Sequence, residues 1–112
     1  MAFEPYYTEE FRRRVKRYRS FAQQIERKIQ LLLKDPYRNC KSERLHGELK
    51  GLRSARLTRN IRIIFAICEE SGEEEIAGLS DICGRLLKEG RNGVVFVTLE
   101  VHERAYRGRK QS

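Results

Sequence analysis

The sequence predicts an α+β domain in which an N-terminal strand and a helical hairpin pack on a small antiparallel β-sheet. Apolar residues recur at helical spacing over residues 9–34. Three later segments are short and alternating or rich in β-branched residues, which is typical of strands: 52–58, 61–68 and 94–101. The length of 112 residues suits a single domain over 1–112, and no internal repeat is visible.

The N-terminal half begins with a short aromatic stretch that contains Pro5. This favours an edge strand, because proline lacks the N–H that an inner strand needs. Thr8 precedes two glutamates, a pattern typical of a helix N-cap followed by acidic residues that suit the helix dipole. The apolar stripe that follows is either one long helix or, if it breaks near 18–21, a helical hairpin. Asp35-Pro36 ends it, since the residue before a proline disfavours helical geometry.

The C-terminal half supplies the sheet. The polar stretch 39–51 carries two glycines and is predicted to be a loop. The half-buried strand 52–58 then leads through a tight turn at Arg59-Asn60 into the strongly apolar strand 61–68. Alternation in the last strand places three apolar residues on one face, toward the core: Val95, Val97 and Leu99.

Residues 69–93 separate the last two strands and are predicted to be an insertion. The insertion starts with the acidic block EESGEEE, which we interpret as a solvated loop; the alternative is a loop that lies near the basic face. Apolar residues between 76 and 89 have near-helical spacing, although Gly78 and Gly84 weaken a helix there.

The net charge of +8 favours a polyanionic partner, which is a nucleic acid, an anionic membrane surface or an acidic protein. No apolar stretch approaches membrane-spanning length and the N-terminus does not resemble a signal peptide, so we expect a cytoplasmic protein without a membrane partner. Cys40, Cys68 and Cys83 are odd in number and lack a CxxC spacing. They are therefore predicted to be reduced thiols.

Several kinds of chemistry have no support in the sequence. The two histidines, His46 and His102, have no carboxylate cluster at ligand spacing around them, so we expect no metal. No nucleophile elbow occurs, so a serine or cysteine nucleophile is unsupported. No glycine-rich phosphate loop follows a strand, and we expect no cofactor. An arginine-rich sheet that ends in a histidine and a tyrosine suits metal-free RNA cleavage. Arginines would stabilise the charged phosphorane, His102 would act as base or acid, and Tyr106 would stack on a nucleobase or donate a proton.

Two segments carry a family resemblance: LHGELKGLRSARLTRNIRIIF, residues 45–65, and VFVTLEVHERAYR, residues 95–107. In the first, a basic strand and a turn are followed by Arg62 and three apolar or aromatic residues. In the second, His102 stands four positions before Tyr106. Together these segments resemble the RelE/ParE superfamily of toxins from type II toxin–antitoxin systems, in particular the RelE-like and YafQ-like mRNA interferases.

The resemblance implies a RelE-like fold and metal-free endoribonuclease activity on mRNA, commonly in the ribosomal A site. It implies mRNA, the ribosome and a neutralising cognate antitoxin as partners. By position, the catalytic roles fall on Arg56, Arg62, His102, Arg104 and Tyr106. RNA contacts are assigned to the basic residues around them: Lys50, Arg53, Arg59 and Arg107.

The chain departs from the family at the general base. Where YafQ-like toxins carry further histidines and an aspartate, this sequence has Glu43, Arg56 and Asn60. Either Glu43 or Glu48 substitutes, or His102 acts alone. Three other interpretations stay open: a ParE-like toxin that shares the fold but inhibits DNA gyrase, a catalytically inactive RNA- or protein-binding module, and a basic globular domain of no assignable activity.

Overall fold

The structure is a computed structural model that describes residues 3–38, 43–44, 52–71 and 79–101. The elements are β1 (Glu4–Tyr7), α1 (Glu9–Arg17), a 3-10 turn (Arg19–Phe21), α2 (Ala22–Lys34), β2 (Glu43–Arg44), β3 (Arg53–Arg56), β4 (Ile61–Ile67), α3 (Cys68–Ser71), α4 (Leu79–Lys88) and β5 (Gly93–Val101). They confirm the predicted α+β class. Within the described ranges, no helix combines the length and apolar character needed to cross a bilayer.

The strands form one sheet in the order β1-β5-β4-β3-β2. β3, β4 and β5 are antiparallel neighbours, as predicted, and β1 lies at an edge, where Pro5 is tolerated. Two strands differ from the prediction. β1 pairs with β5 in parallel, so the sheet is mixed. The two strands lie at opposite ends of the element order, and no tight turn forces them to run in opposite directions. β2 lies inside the predicted loop 39–51, where its pairing with Arg53 and Ser54 is a long-range contact that no local pattern announces.

The N-terminal helical segment consists of two helices. The Phe11 N–H donates to Thr8 Oγ1 at 3.0 Å, so Thr8 caps α1 as predicted. The 3-10 turn Arg19–Phe21 then separates α1 from α2, which confirms the predicted break. α2 ends at Lys34, directly before Asp35-Pro36.

The main core lies on the face of the sheet that α1 and α2 cover, which we call the helix face. Phe96 is its centre: its ring centroid lies 5.4 Å from Tyr7, 5.5 Å from Phe11 and 6.3 Å from Phe65. Buried aliphatic residues of α2 complete this core: Ile25, Ile29, Leu32 and Leu33. Burial of this apolar surface is the main favourable term in folding.

The opposite face is covered over one half by α4. A second apolar cluster there is made by Leu52, Ile64, Ala66, Cys68, Cys83 and Val95, with Leu86 and Val97 packed against it. Gly93 permits this packing, because a Cβ at that position would overlap the Leu86 side chain. α4 ends where Gly90 adopts a φ of +73° and the Arg91 N–H donates to the Leu86 carbonyl at 2.8 Å.

Cys68 and Cys83 form a disulfide within this second cluster, with their Cα atoms 4.8 Å apart. The prediction of reduced thiols is therefore wrong for these two residues; Cys40 lies outside the described residues. The cysteine spacing in the sequence does not predict this disulfide, because Cys68 and Cys83 are 15 positions apart and meet only when α4 packs beside the end of β4. Both side chains are almost completely buried, so the bond ties α4 to the end of β4.

Candidate functional site

A row of charged residues crosses three adjacent strands on the half of the sheet that α4 does not cover. Arg56 of β3 lies directly opposite Arg62 of β4, and Arg62 lies directly opposite Glu100 of β5. Side chains paired in this way have Cβ atoms about 5 Å apart. We call this surface, made by Ser54, Arg56, Arg62, Ile64 and Glu100, the arginine face.

Hydrogen bonding to a buried hydroxyl anchors one of these arginines. Arg62 Nη1 donates to Ser54 Oγ at 3.3 Å, and Ser54 is only 2% exposed. Arg62 is half-buried whereas Arg56 is exposed. The site therefore combines the hydrogen-bonded guanidinium of Arg62 with the solvent-exposed guanidinium of Arg56.

A bulge in β5 determines which residues of that strand belong to this face. Ile64 pairs with Thr98 but the next residue, Phe65, pairs with Phe96, so Val97 is an extra residue in the ladder. Leu99 consequently packs in the helix-face core, whereas Val95 and Val97 belong to the opposite cluster. The prediction that Val95, Val97 and Leu99 share one face is thus wrong.

Helix α1 lies along the edge of β5 beyond the end of β1 and holds the bulged segment in place. Thr8 Oγ1 donates to the Val97 carbonyl at 2.7 Å, and Arg14 Nη1 donates to the Leu99 carbonyl at 2.9 Å. These bonds satisfy carbonyl groups that β1 does not reach, since β1 pairs only as far as Phe96. By sequence, the basic run RRRVKRYR, residues 12–19, is either a solvated helix face or an RNA contact; Arg14 within it is a structural residue.

A cavity of about 330 Å³ opens between α1 and β5, next to the charged row. Its apolar lining includes Ile64 and Val97, and its charged lining is Glu10, Arg14 and Glu100. The charges around this space are of both signs. The sequence predictions did not include Glu100 or Glu10 in the site, because only the bulge and the docking of α1 bring them to this face.

Arg53 lies at the other end of β3 and is engaged within the protein. Its Nε and Nη2 donate to the two Glu70 carboxylate oxygens at 2.8 and 2.7 Å, and its guanidinium lies 5.1 Å from the centroid of the Tyr37 ring. The hydrogen bond with Glu70 raises the pKa of Arg53. The Tyr37 hydroxyl donates to Glu69 at 2.8 Å, so both glutamates are held by the protein.

These contacts correct the interpretation of the acidic block. Its first two residues form part of α3 and bind Tyr37 and Arg53, so they are not a solvated loop. The alternative, in which the block lies near the basic face, agrees with the contact of Glu70 with Arg53, whereas Glu69 contacts Tyr37. Residues 72–78 lie outside the described part of the chain.

The other predicted site residues divide into two groups. Arg59 is exposed in the bend between β3 and β4, at the end of the hairpin that carries Arg56 and Arg62. The remaining candidates lie outside the described residues: His102, Arg104, Tyr106, Lys50, Arg107 and Glu48. Among the residues that the structure describes, no group of three or more histidine, cysteine, aspartate or glutamate side chains is placed to hold a metal ion.

Solved structures of similar fold were found. A YoeB/ParE toxin from Agrobacterium tumefaciens has a TM-score of 0.62 at 14% identity, over 89% of this chain and 99% of that one. The RelBE2 toxin–antitoxin complex from Mycobacterium tuberculosis has a TM-score of 0.60 at 19% identity, over 91% of this chain and 100% of the matched one. YafQ from E. coli has a TM-score of 0.61 at 13% identity, over 93% and 98%.

No protein-family model and no curated protein sequence matches the chain. At identities this low, the structural likeness establishes the fold, and the fold agrees with the one that the sequence resemblance implies. The chain thus has the α+β fold of the YoeB/ParE, RelE and YafQ toxins over nearly its whole length.

Proposed function

We propose that this protein is the toxin of a toxin–antitoxin pair and that it cleaves mRNA by attack of the ribose 2′-oxygen on the adjacent phosphate, without a metal ion. The observation that carries the proposal is the pairing of Arg56 with Arg62 on one face of the sheet. Like charges directly opposite one another destabilise a sheet. Glu100, opposite Arg62 on β5, offsets part of that repulsion, and a bound phosphate would offset more of it, since guanidinium groups match phosphate oxygens in geometry and charge.

Each group then has a defined part in the reaction. Arg56, Arg62 and Arg104 hold the phosphate and stabilise the extra negative charge of the pentacoordinate transition state. His102 transfers a proton, since its ordinary pKa lies near neutral pH. Tyr106 stacks on a nucleobase or donates a proton to the leaving oxygen. β5 ends at Val101, so His102 follows the arginine face directly in the chain.

RNA contacts outside the reacting phosphate are assigned to three further basic residues. Arg59 is exposed in the bend next to the charged row, and Lys50 and Arg107 are assigned from the sequence. Arg53 is the exception, because Glu70 already neutralises it. Affinity for RNA should fall steeply with salt, since phosphate contacts release bound counterions.

The partners in this proposal are translated mRNA, the ribosome and an acidic antitoxin. RelBE2, which has the same fold, was solved as a toxin–antitoxin complex. A net charge of +8 favours an acidic protein that covers the basic surface. The action would take place in the cytoplasm, where reductants disfavour disulfides, so cleavage should be measured with Cys68–Cys83 both oxidised and reduced.

The decisive experiment is cleavage of a translated message by the purified protein in the presence of EDTA. Wild type is compared with Arg62→Ala, His102→Ala and, as a matched loss of one positive charge from the same hairpin, Arg53→Ala. Removal of Arg62 or His102 should lower the rate about 100-fold or more, because a charge-stabilising or proton-transfer group is lost. Equal cleavage by all four proteins would contradict the site, and no cleavage by the wild type would contradict the function.

A second candidate function is inhibition of DNA gyrase, because one protein of this fold is described as a YoeB/ParE toxin. Gyrase supercoiling assays with added protein separate the two proposals. Loss of supercoiling without RNA cleavage would favour the gyrase interpretation. RNA binding with neither activity would favour an inactive binding module.

A further inference from the structure

The chain carries a carboxylate on the arginine face that the sequence assigns to no role. Leu99 and Val101, the neighbours of Glu100, both pack on the helix face. Because successive strand residues alternate, Glu100 lies on the opposite face, beside Arg62. If β5 continued from Phe96 without a bulge, Val97 would pair with Ile64, and Glu100 would pair with Ile61 and face the apolar core.

The position of the bulge is itself informative. Bulges are over-represented next to active sites, where they redirect a side chain. Here two long-range hydrogen bonds from α1, donated by Thr8 and Arg14, hold the carbonyls of Val97 and Leu99 on either side of the redirected segment. The fold therefore fixes the backbone that presents Glu100.

The surroundings of Glu100 suit a reacting nucleotide. It lines the 330 Å³ cavity, and the charged groups that face it are Arg62 from β4, with Arg56 one strand further, and Glu10 and Arg14 from α1. A phosphate held by the two arginines would thus lie on the same face of the sheet as Glu100, one to two strand spacings away, about 5–10 Å measured between backbones.

We propose that Glu100 is the general base of the RNA cleavage reaction. This inference rests on the proposed function, because it supplies the proton acceptor that the family's pattern lacks in this sequence. A Glu100 carboxylate oxygen takes the proton of the ribose 2′-hydroxyl as the 2′-oxygen bonds to phosphorus. The bond from phosphorus to the 5′-oxygen breaks, and that oxygen receives a proton from the general acid, His102 or Tyr106. The products are a 2′,3′-cyclic phosphate and a free 5′-hydroxyl.

Two other described carboxylates bear on this assignment: Glu43 of β2, a candidate base by sequence, whose backbone pairs with Ser54, and Glu10. Glu10 lines the same cavity, but it is exposed in the first turn of α1, where a carboxylate suits the helix dipole. Glu10→Gln is therefore a matched control that removes a carboxylate from the cavity without touching the charged row.

The experiment measures single-turnover cleavage across pH for wild type, Glu100→Gln, Glu100→Asp and Glu10→Gln, using an RNA of defined sequence that the wild type cleaves. We expect Glu100→Gln to lower the rate about 10²- to 10⁴-fold and to lose the acidic limb of the pH profile. We expect Glu100→Asp to keep that limb at a reduced rate, and Glu10→Gln to keep the limb and to lower the rate far less than Glu100→Gln does. Binding of an uncleavable 2′-deoxy analogue should be as tight in Glu100→Gln as in the wild type, since the group acts on the rate and not on affinity.

Wild-type rate and pH profile in Glu100→Gln would overturn the assignment while leaving the proposed function intact. A wild-type protein that cleaves no RNA would overturn both. Thermal denaturation checks that the variants fold. If Glu100→Gln does not, Glu100→Asp decides: an unchanged rate and profile overturn the proposal, and a slower rate with the acidic limb retained supports it.

Discussion

The helix face and the arginine face are built on the same three central strands but follow different rules. On the helix face, Phe65, Phe96 and Leu99 are fully buried among residues of α1 and α2. On the arginine face, Arg56 and Arg62 lie side by side with Glu100. The helix face buries a large apolar area. The arginine face instead places charged side chains next to one another, which does not follow from apolar packing. We therefore expect substitutions on the helix face to lower stability and substitutions on the arginine face to lower the proposed activity.

The largest expected effect tests the helix face. Phe96→Ala should lower the free energy of unfolding by about 3–5 kcal/mol, because it empties the centre of the aromatic cluster. Arg56→Ala on the arginine face should change it by about 0.5 kcal/mol or less. Urea unfolding followed by circular dichroism measures both. If Phe96→Ala leaves no folded protein, Phe96→Leu should still cost about 1–1.5 kcal/mol. Similar losses of unfolding free energy at Phe96 and Arg56 would contradict the idea that stability depends mainly on the helix face.

The second prediction concerns the half of the opposite face that α4 covers. Reduction of the Cys68–Cys83 disulfide, or the double variant Cys68→Ala/Cys83→Ala, should cost about 3 kcal/mol, as expected for a loop of 15 residues. Thermal melts with and without dithiothreitol give the value, and Cys40→Ala serves as the control thiol. A wild type whose melting temperature does not respond to dithiothreitol would show that the bond adds nothing to stability.

The features that could be predicted from the sequence are those that depend on neighbouring residues. Thr8 caps α1 through a bond to Phe11, three positions away, and Asp35-Pro36 ends α2 through local sterics. The three central strands could be predicted because each segment is either alternating or rich in β-branched residues. Element boundaries and types of this kind need no knowledge of the tertiary structure.

The features that were missed all depend on distant contacts. β2 exists only because β3 lies beside it, and the Cys68–Cys83 bond needs α4 to pack on the sheet. The bulge at Val97 has no local sequence signature, since neither glycine nor proline marks it, yet it reverses the face of every later residue in β5. For this reason Glu100 could not be recognised as part of the candidate site.

Arg53 and Arg62 lie in the same hairpin, so substitutions of the two arginines compare an effect on stability with an effect on activity. Arg53→Ala should destabilise the protein by about 1–2 kcal/mol, because it leaves the half-buried Glu70 without its bidentate partner. Arg62→Ala should cost less stability but much more cleavage activity. Unfolding and cleavage measured on the same preparations test this exchange of roles. Equal stability and equal activity of the two variants would contradict it.

The smallest expected effect is a dependence on alkaline pH at the Arg53 end of the hairpin. Burial and the hydrogen bond to Glu69 raise the pKa of Tyr37 in the folded protein. A folded pKa above the unfolded value means that this contribution to stability is fully present below about pH 10 and is lost as pH rises beyond it. Tyr37→Phe should therefore cost at most about 1 kcal/mol at pH 8, the value of one exposed hydrogen bond, and lose less stability than the wild type between pH 10 and pH 11. Urea unfolding at the three pH values measures this difference, with Tyr6→Phe, an exposed tyrosine of β1, as the control. A wild type and a Tyr37→Phe variant that lose stability in parallel would mean that the Tyr37–Glu69 bond does not persist in solution.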